Sequence, residues 1–303
     1  MIANTNIYSI KKNKIDDCIF SILIPSWNNL PYLKLCVESI RKNSIHKHQI
    51  IIHVNEGTDG TLDWIESQTD INYTYSSENI GVCYALNYSR TLATTNYIVY
   101  INDDMYLCPG WDDVFLQEIK IIGHPYFFLS ATCIEPVASS ICAIGNDYGR
   151  TTESFNEQLL LKEFASLPKK DWSGATWPPN IVHKDVWDIV GGYSIEFSPG
   201  MYSDPDFSMK LWKAGVRLFK GLSASRAYHF GSKSVKRIVK NEGYYKFIFK
   251  WGITSSTLTN YFLKRGNLFT ESMPEPKMTF LLLIKNIFKR IVILHRFIFQ
   301  KLR

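Results

Sequence analysis

The chain has 303 residues, 46% of them hydrophobic and 20% charged, which excludes wholesale disorder and leaves room for one large domain with an appendage. Its net charge of +6 sits at one end: residues 277–303 hold seven Lys or Arg and no acid, so residues 1–276 sum to about −1. That distribution excludes a nucleic-acid function argued from overall basicity.

Residues 1–17 are polar and are expected to form a loose N-terminus. Lys11, Lys12 and Lys14 are not followed by an apolar segment long enough for a signal peptide. Ile19 to Pro25 reads as a first buried strand, leading through Ser26-Trp27-Asn28-Asn29 into a helix that starts near Pro31. Leu33, Val37 and Ile40 fall on one face of that helix. Gln49 to Val54 is a second strand. The loop after it, Asn55-Glu56-Gly57-Thr58-Asp59-Gly60-Thr61, opens a helix from Leu62 to Gln68. Ile71 to Tyr75 is a third strand. The helix after Gly81 has Val82, Leu86, Ser89 and Ala93 along one side.

Tyr97 to Met105 is the most informative stretch. An apolar, β-branched run reads as a buried strand, and it stops on Asn102-Asp103-Asp104. Parallel α/β sheets place ligands beyond the carboxyl ends of their strands, and hard carboxylate oxygens there suit a divalent cation held against a phosphate. An Asp-rich turn that only caps the next segment gives the same pattern.

Strands alternating with helices at this spacing indicate a mostly parallel sheet flanked by helices. The second half is punctuated by Gly174, Pro178, Pro179, Gly191, Gly192, Pro199 and Gly200, as a loop-rich acceptor side would be. Ser203-Asp204-Pro205-Asp206 precedes Phe207, Met209, Leu211 and Trp212, an acidic entrance to an amphipathic helix. Such acids serve the helix macrodipole, and a carboxylate there is also placed to act as a general base. His229 is a lone histidine in an aromatic setting, with Gly231 and Ser232 making a loop. Six cysteines show neither C-x-x-C pairing nor zinc spacing, so a reducing compartment is expected. From about residue 241 on, the chain reads as a separate, helical section rich in Tyr, Phe and Lys. Its last helix, from Phe280, sets Lys285, Lys289 and Arg296 largely opposite Ile284, Ile287, Phe288, Ile291, Leu294 and Ile298. A basic helix with a broad apolar face lies in a membrane interface, or packs on the domain or a second copy. The apolar run Met278 to Ile284 is too short to span a bilayer.

Taken in order, these segments resemble a family 2 glycosyltransferase of GT-A fold, close to bacterial rhamnosyltransferase-like enzymes of surface-polysaccharide synthesis. Ile24-Pro25-Ser26-Trp27-Asn28 is similar to the opening strand of that family, and Val54 to Thr61 to its acidic Gly-Thr-Asp loop. Asn79-Ile80-Gly81 with Asn87, Ile101 to Asp104, Gly174-Ala175, Val190 to Tyr193, Ser203 to Gly215 and Tyr228-His229 follow in the family's order. The resemblance covers about residues 19–235.

It implies an α/β GT-A fold, Rossmann-like, over residues 18–240; the tail's own charge and apolar pattern makes 241–303 a helical, basic membrane-associating region. The resemblance implies an inverting, metal-dependent transfer of a hexose or deoxyhexose from a nucleotide-diphosphate sugar (UDP- or dTDP-type) to a glycan or lipid-linked acceptor. Pro25, Ser26, Asn28, Asn55, Glu56, Gly81, Asn102 and Asp103 would bind the donor nucleotide, with Asn55 and Glu56 both open as the base's partner. Asp104 and His229 would hold Mn²⁺ or Mg²⁺, and Asp204 would be the catalytic base. Trp172, Gly174 and Asp206 would lie on the acceptor and sugar side. The expected setting is the cytoplasmic face of an anionic membrane, with a homodimer left open. The chain departs from the family at Asn102, which stands where an acid is usual, at the shortened loop after Asn55, and at Ser203 and Pro205. A non-catalytic protein that binds glycans or nucleotide sugars, and a sugar-phosphate nucleotidyltransferase, are the competing readings. The first strand ends in Pro-Ser-Trp-Asn-Asn and not in the Gly-rich loop with a following Lys of nucleotidyltransferases.

Overall fold

In a computed structural model, residues 5–12, 17–231 and 242–300 are described, with side chains up to residue 295. Ser232, Arg296 and Ile298, used above, lie outside the described residues or side chains.

After a strand β1 (Ile7–Ile10), the first half alternates as its periodicity predicts: β2 (Phe20–Trp27), α1 (Leu30–Asn43), β3 (Gln49–Asn55), α2 (Thr61–Ser67), β4 (Ile71–Ser76), α3 (Gly81–Arg90) and β5 (Tyr97–Tyr100), with a further strand β6 (Met105–Leu107) beyond the acids. There follow α4 (Trp111–Ile122), β7 (Phe127–Glu135), β8 (Ile144–Gly145), α5 (Glu157–Glu163), β9 (Trp172–Ser173), β10 (Asn180–His183), α6 (Lys184–Ile189), α7 (Ser203–Lys213) and β11 (Leu218–His229). The chain closes with α8 (Gly243–Trp251), the short turn α9 (Ser255–Thr257) running into a π-helical turn Leu258–Phe262, and α10 (Phe280–Gln300).

The strands form one sheet in the order β1-β4-β3-β2-β5-β10-β7-β11-β6. Its left part, β4-β3-β2-β5, is parallel; β10 runs antiparallel to both β5 and β7, and β6 antiparallel to β11. The alternation of β2 splits the core between the two faces. Ile22 and Ile24 pack with α1 and α4 through Leu33, Val37, Trp111 and Phe115, while Leu23 packs opposite with Leu86, Phe207 and Trp212.

Three expectations need correcting. The N-terminal stretch expected to be loose contributes an edge strand, Ile7–Ile10 paired to Ser76–Tyr73. Lys12 then caps α2, its ammonium donating to the carbonyls of Ile65, Glu66 and Gln68. In α3 the buried positions are Gly81, Cys83, Ala85, Leu86 and Ser89; Val82 is half-buried and Ala93 lies past the helix end. Last, the C-terminal section is not separate from the domain. Leu258, Phe262, Leu263 and Met273 are buried in the core cluster that holds Trp212.

Candidate active site

The parallel strands end together, and their carboxyl ends floor a cavity of about 780 Å³. Pro25, Ser26 and Trp27 from the end of β2, Asn55 from β3, Gly81 from α3, and Asn102, Asp103 and Asp104 after β5 line it. From the second half come Glu135, Trp172, Trp177, Asp204, His229 and Arg265.

Register explains the acidic cluster. β11 lies between β7 and β6, with Tyr228 paired to Ile134 on one side and His229 opposite Met105 on the other. His229 therefore falls between Glu135, the last residue of β7, and Asp104, just before β6. Its Nδ1 is 3.0 Å from Glu135 Oε1, and its Nε2 is 3.5 Å from Asp104 Oδ1. Burial works against a charged ring here, but the Asp104 and Glu135 carboxylates outweigh it and raise the pKa to about 10. Glu135 also accepts from the Ser139 backbone N–H at 2.6 Å, which ties the loop after β7 to the same site. Burial acts against the Glu135 carboxylate, yet the His229 and Ser139 contacts bring its pKa below the ordinary value.

Asp103 and Asp104 are buried, at 5% and 3% exposure, so neither is a solvated turn residue. The Ser26 hydroxyl donates to Asp103 Oδ2 at 2.8 Å, joining the ends of β2 and β5.

Asp204 enters from the other side, in the first turn of α7. Burial raises its pKa from 3.8 to about 7, against an opposing hydrogen bond from Tyr193 Oη to Oδ1 at 3.3 Å. Tyr193 is itself fixed by Asn87, which accepts from the Tyr193 N–H at 2.9 Å and donates to the Tyr193 carbonyl at 2.7 Å. Gly192 allows that approach, since a Cβ there would stand 2.3 Å from Asn87 Oδ1. A carboxyl with a pKa near 7, reachable from the cavity and steadied by a phenol, is suited to taking a proton.

Other expected site residues do different work. Asn55 is 3% exposed, and its amide accepts from the Ile80 N–H at 2.9 Å and donates to the Ser26 carbonyl at 3.4 Å. Asn28 and Glu56 bind each other at 3.1 Å outside the cavity lining, with Asn28 also accepting from the Thr58 N–H. Both have positive φ, 43° for Asn28 and 62° for Glu56, so this pair clamps the loop above the cavity edge. Asp206 is turned away: fully buried, it accepts from Trp251 Nε1 at 2.8 Å and pairs with Lys250 at 2.9 Å, holding α8 on α7. Gly174 lies outside the lining too, its role a close approach in which a Cβ would meet Arg265 Cα at 2.6 Å. Trp172 does line the cavity, its Nε1 donating to Thr132 Oγ1 at 2.9 Å.

Sequence reasoning missed Glu135, Tyr193 as the partner of Asp204, and the wall made by Trp177, Ser255, Ser256 and Arg265. Glu135 carries the same signal as Asp103 and Asp104, an apolar run (Phe127 to Ile134) that stops on an acid.

As a cation site the donor set is partial. Among the described residues no group of three or more His, Cys, Asp or Glu is arranged to hold a metal. Asp104 and the Nε2 edge of His229 offer one hard oxygen and one imidazole nitrogen, and diphosphate oxygens and water complete such shells. Glu135 on the far ring nitrogen is the outer partner that a metal-binding histidine normally has. The residues fit a divalent ion shared with a bound diphosphate.

Residues 21–131 match the sequence profile of glycosyl transferase family 2. No curated protein sequence matches the chain significantly. Among solved structures, residues 1–349 of S. aureus TarS in complex with UDP align with a TM-score of 0.55 at 14% identity, covering 76% of this chain and 63% of that one. The same fragment in complex with UDP-GlcNAc gives 0.55 at 15% identity, covering 77% and 65%. GalNAc-T7 with UDP, GalNAc and Mn²⁺ gives 0.53 at 14% identity, covering 76% and 45%. At these identities the likeness shows the fold, a GT-A-like sheet, and the chain spans about 60% of the length of the TarS 1–349 fragment.

Proposed function

The chain belongs to glycosyl transferase family 2, and from that premise we propose that it transfers a sugar, with inversion, from a nucleoside-diphosphate donor to an acceptor hydroxyl. The observation that carries this reading is the meeting, in one cavity, of the strand-end acids Asp103 and Asp104 with His229 and Asp204.

In this reading Pro25, Ser26, Asn55 and Gly81 border the nucleoside end. Gly81 has φ +77°, and a Cβ would stand 2.3 Å from Ser198 Oγ, so only glycine lets the backbone follow this edge. Asp104 and His229 would hold Mn²⁺ or Mg²⁺, and for that the Nε2 proton of His229 must leave. The ion when bound supplies positive charge for the diphosphate as it departs. Asp204 takes the proton of the acceptor hydroxyl, and Tyr193 keeps its carboxylate aimed into the cavity. Attack on the face opposite the departing diphosphate inverts the anomeric centre in one displacement.

The membrane reading rests on α10. Among its described side chains only Leu282, Asn286 and Ile293 are buried, while Phe280, Leu281, Ile284, Ile287, Phe288, Ile291 and Leu294 are 47–79% exposed beside exposed Lys285, Lys289 and Arg290. No helix of the described residues is long and apolar enough to cross a membrane. An apolar face flanked by cations and free of acids complements an anionic lipid surface, each cation there contributing about 1 kcal/mol. A glycan or lipid-linked acceptor presented at that surface fits this placement.

The test is a thermal-shift panel of nucleoside diphosphates with and without Mn²⁺, followed by donor turnover with Asp204→Asn and Asp104→Ala. A base-selective, metal-dependent shift supports the reading. Full turnover by Asp204→Asn removes the base assignment, and the absence of any nucleotide shift removes the donor class.

A further inference from the structure

We propose that Arg265, with its guanidinium over the Trp177 ring, forms an anion-receiving position on the acceptor side of the cavity, one that takes a phosphate or carboxylate carried by the acceptor. The inference rests on the transferase reading above for what the cavity does.

The backbone at Arg265 is held from several directions. Its N–H donates to the Thr259 carbonyl at 2.8 Å, and the Gly266 N–H donates to the Ser173 carbonyl at 2.9 Å. Gly174 and Gly266 have no side chain to spare: a Cβ would meet Arg265 Cα at 2.6 Å and Ile141 Cγ2 at 2.2 Å respectively. The guanidinium carbon lies 4.1 Å from the centre of the Trp177 ring, a stacking distance that leaves the edge of the plane, with its N–H donors, for other partners.

Those donors are unspent. Among the described residues no carboxylate lies within 4 Å of Arg265, and its guanidinium makes no hydrogen bond to protein. Half-buried cations usually find an anion, and this one, with five donors in a fixed fork, faces the cavity without one. Its surroundings are protein, and burial brings its pKa below the ordinary arginine value. His229 is the other cationic residue of the lining, and it is paired with Asp104 and Glu135.

Position favours the acceptor over the donor. Arg265 rests on β9, which pairs with β11, and β11 is four strands from β2 in the sheet order. At about 4.8 Å per strand its backbone stands roughly 19 Å across the sheet from the nucleoside edge. The departing diphosphate belongs over Asp104 and His229, at the carboxyl end of β11, whereas β9 pairs with β11 eight and nine residues earlier, at Gly221 and Lys220.

Calorimetric titration of the full chain and of Arg265→Gln and Arg265→Lys tests this, with glycerol 1-phosphate as the anionic probe and glycerol as its uncharged control. UDP and dTDP with Mn²⁺ form a separate arm, and thermal unfolding midpoints check that each variant folds. We expect saturable binding of glycerol 1-phosphate but not of glycerol, weakened ~10-fold or more in Arg265→Gln and partly kept in Arg265→Lys, with nucleotide affinity within about twofold. Absence of saturable probe binding in the unaltered chain, or equal binding by Arg265→Gln, overturns the proposal. Loss of nucleotide affinity with the probe unaffected reassigns Arg265 to the donor diphosphate and overturns it as well. Failure of the nucleotide arm alone, in every variant, strikes the transferase reading and leaves the anion site standing.

Discussion

Replacing Asp204 by Asn should make the protein more stable as it makes it inactive, and the gain should grow with pH. The folded chain holds the Asp204 carboxyl at a pKa of about 7 against an ordinary 3.8, so between those values the folded state binds more protons than the unfolded one. Stability from this group is therefore lost as pH rises from about 4 to about 7 and stays lost above that. At 1.36 kcal/mol per unit the full loss is ~4 kcal/mol, of which ~3 kcal/mol falls between pH 5 and pH 8. These are upper values, since the carboxyl reaches solvent through the cavity mouth. Asn keeps the shape and still accepts from Tyr193 Oη, but it does not ionise. Urea unfolding of both proteins at pH 5 and pH 8 measures the difference directly. The midpoint of Asp204→Asn should rise over that of the parent mainly at pH 8, while transfer falls by ~10²-fold or more. Equal midpoint differences at the two pH values would show that burial does not oppose ionisation here, and the case for Asp204 as a base would lose its physical footing.

Three further outcomes follow from the geometry. Asp59 accepts from the Leu30 N–H at 2.8 Å and from the Thr61 N–H at 3.1 Å, so one carboxylate caps both α1 and α2; Asp59→Ala should cost about 1–2 kcal/mol in urea unfolding, and an unchanged midpoint would dismiss the double cap. Gly81→Ala places a Cβ 2.6 Å from Pro199 Cα at φ +77°, so we expect a loss of about 1–3 kcal/mol and weaker nucleotide binding by thermal shift. Glu at both Ile287 and Phe288, which are 54% and 61% exposed, should abolish flotation with phosphatidylglycerol vesicles without lowering the melting temperature; unchanged flotation, or a shift from dimer to monomer in light scattering, would assign that face to something other than lipid. Deleting residues 277–303 is a poorer test, because it also removes buried Leu282, Asn286 and Ile293.

The parallel half of the sheet was legible because its central strands, β2, β3 and β5, are buried and read as largely apolar runs, and because glycine and capping residues punctuate the turns between them. The strand-end acids were legible because Asp103 and Asp104 close a buried apolar run; their burial, at 5% and 3% exposure, is what separates them from a solvated capping turn. Asp206 was misread because its sequence context matches that of Asp204, two residues earlier. On a helix two residues are about 200° apart, so one carboxylate faces the cavity and the other the core. Arg265 was invisible for a different reason. Its place depends on Gly174 and Trp177, both distant in sequence, and no local spacing encodes that meeting. Asn28 and Asn55 match the family pattern in sequence, but their amides are occupied in fastening loops, a distinction that residue type alone does not draw.

The hydrogen bonds from the Thr254 N–H at 3.1 Å and Thr257 Oγ1 at 3.0 Å to Asn286 Oδ1 join α10 to the turn that carries Ser255 and Ser256. Those two serines line the cavity mouth, so the exposed helix and the rim of the cleft are one fastened unit. On the membrane reading proposed above, a surface that receives α10 would set the tilt and height of the opening above it. The enzyme would then act as a ruler: hydroxyls presented at that height would be reached, and the same sugar carried further out on a longer chain would be passed over. Selection among acceptors would then depend on distance from the surface as well as on chemistry, and lengthening the link between α10 and the domain would move the point of transfer outward.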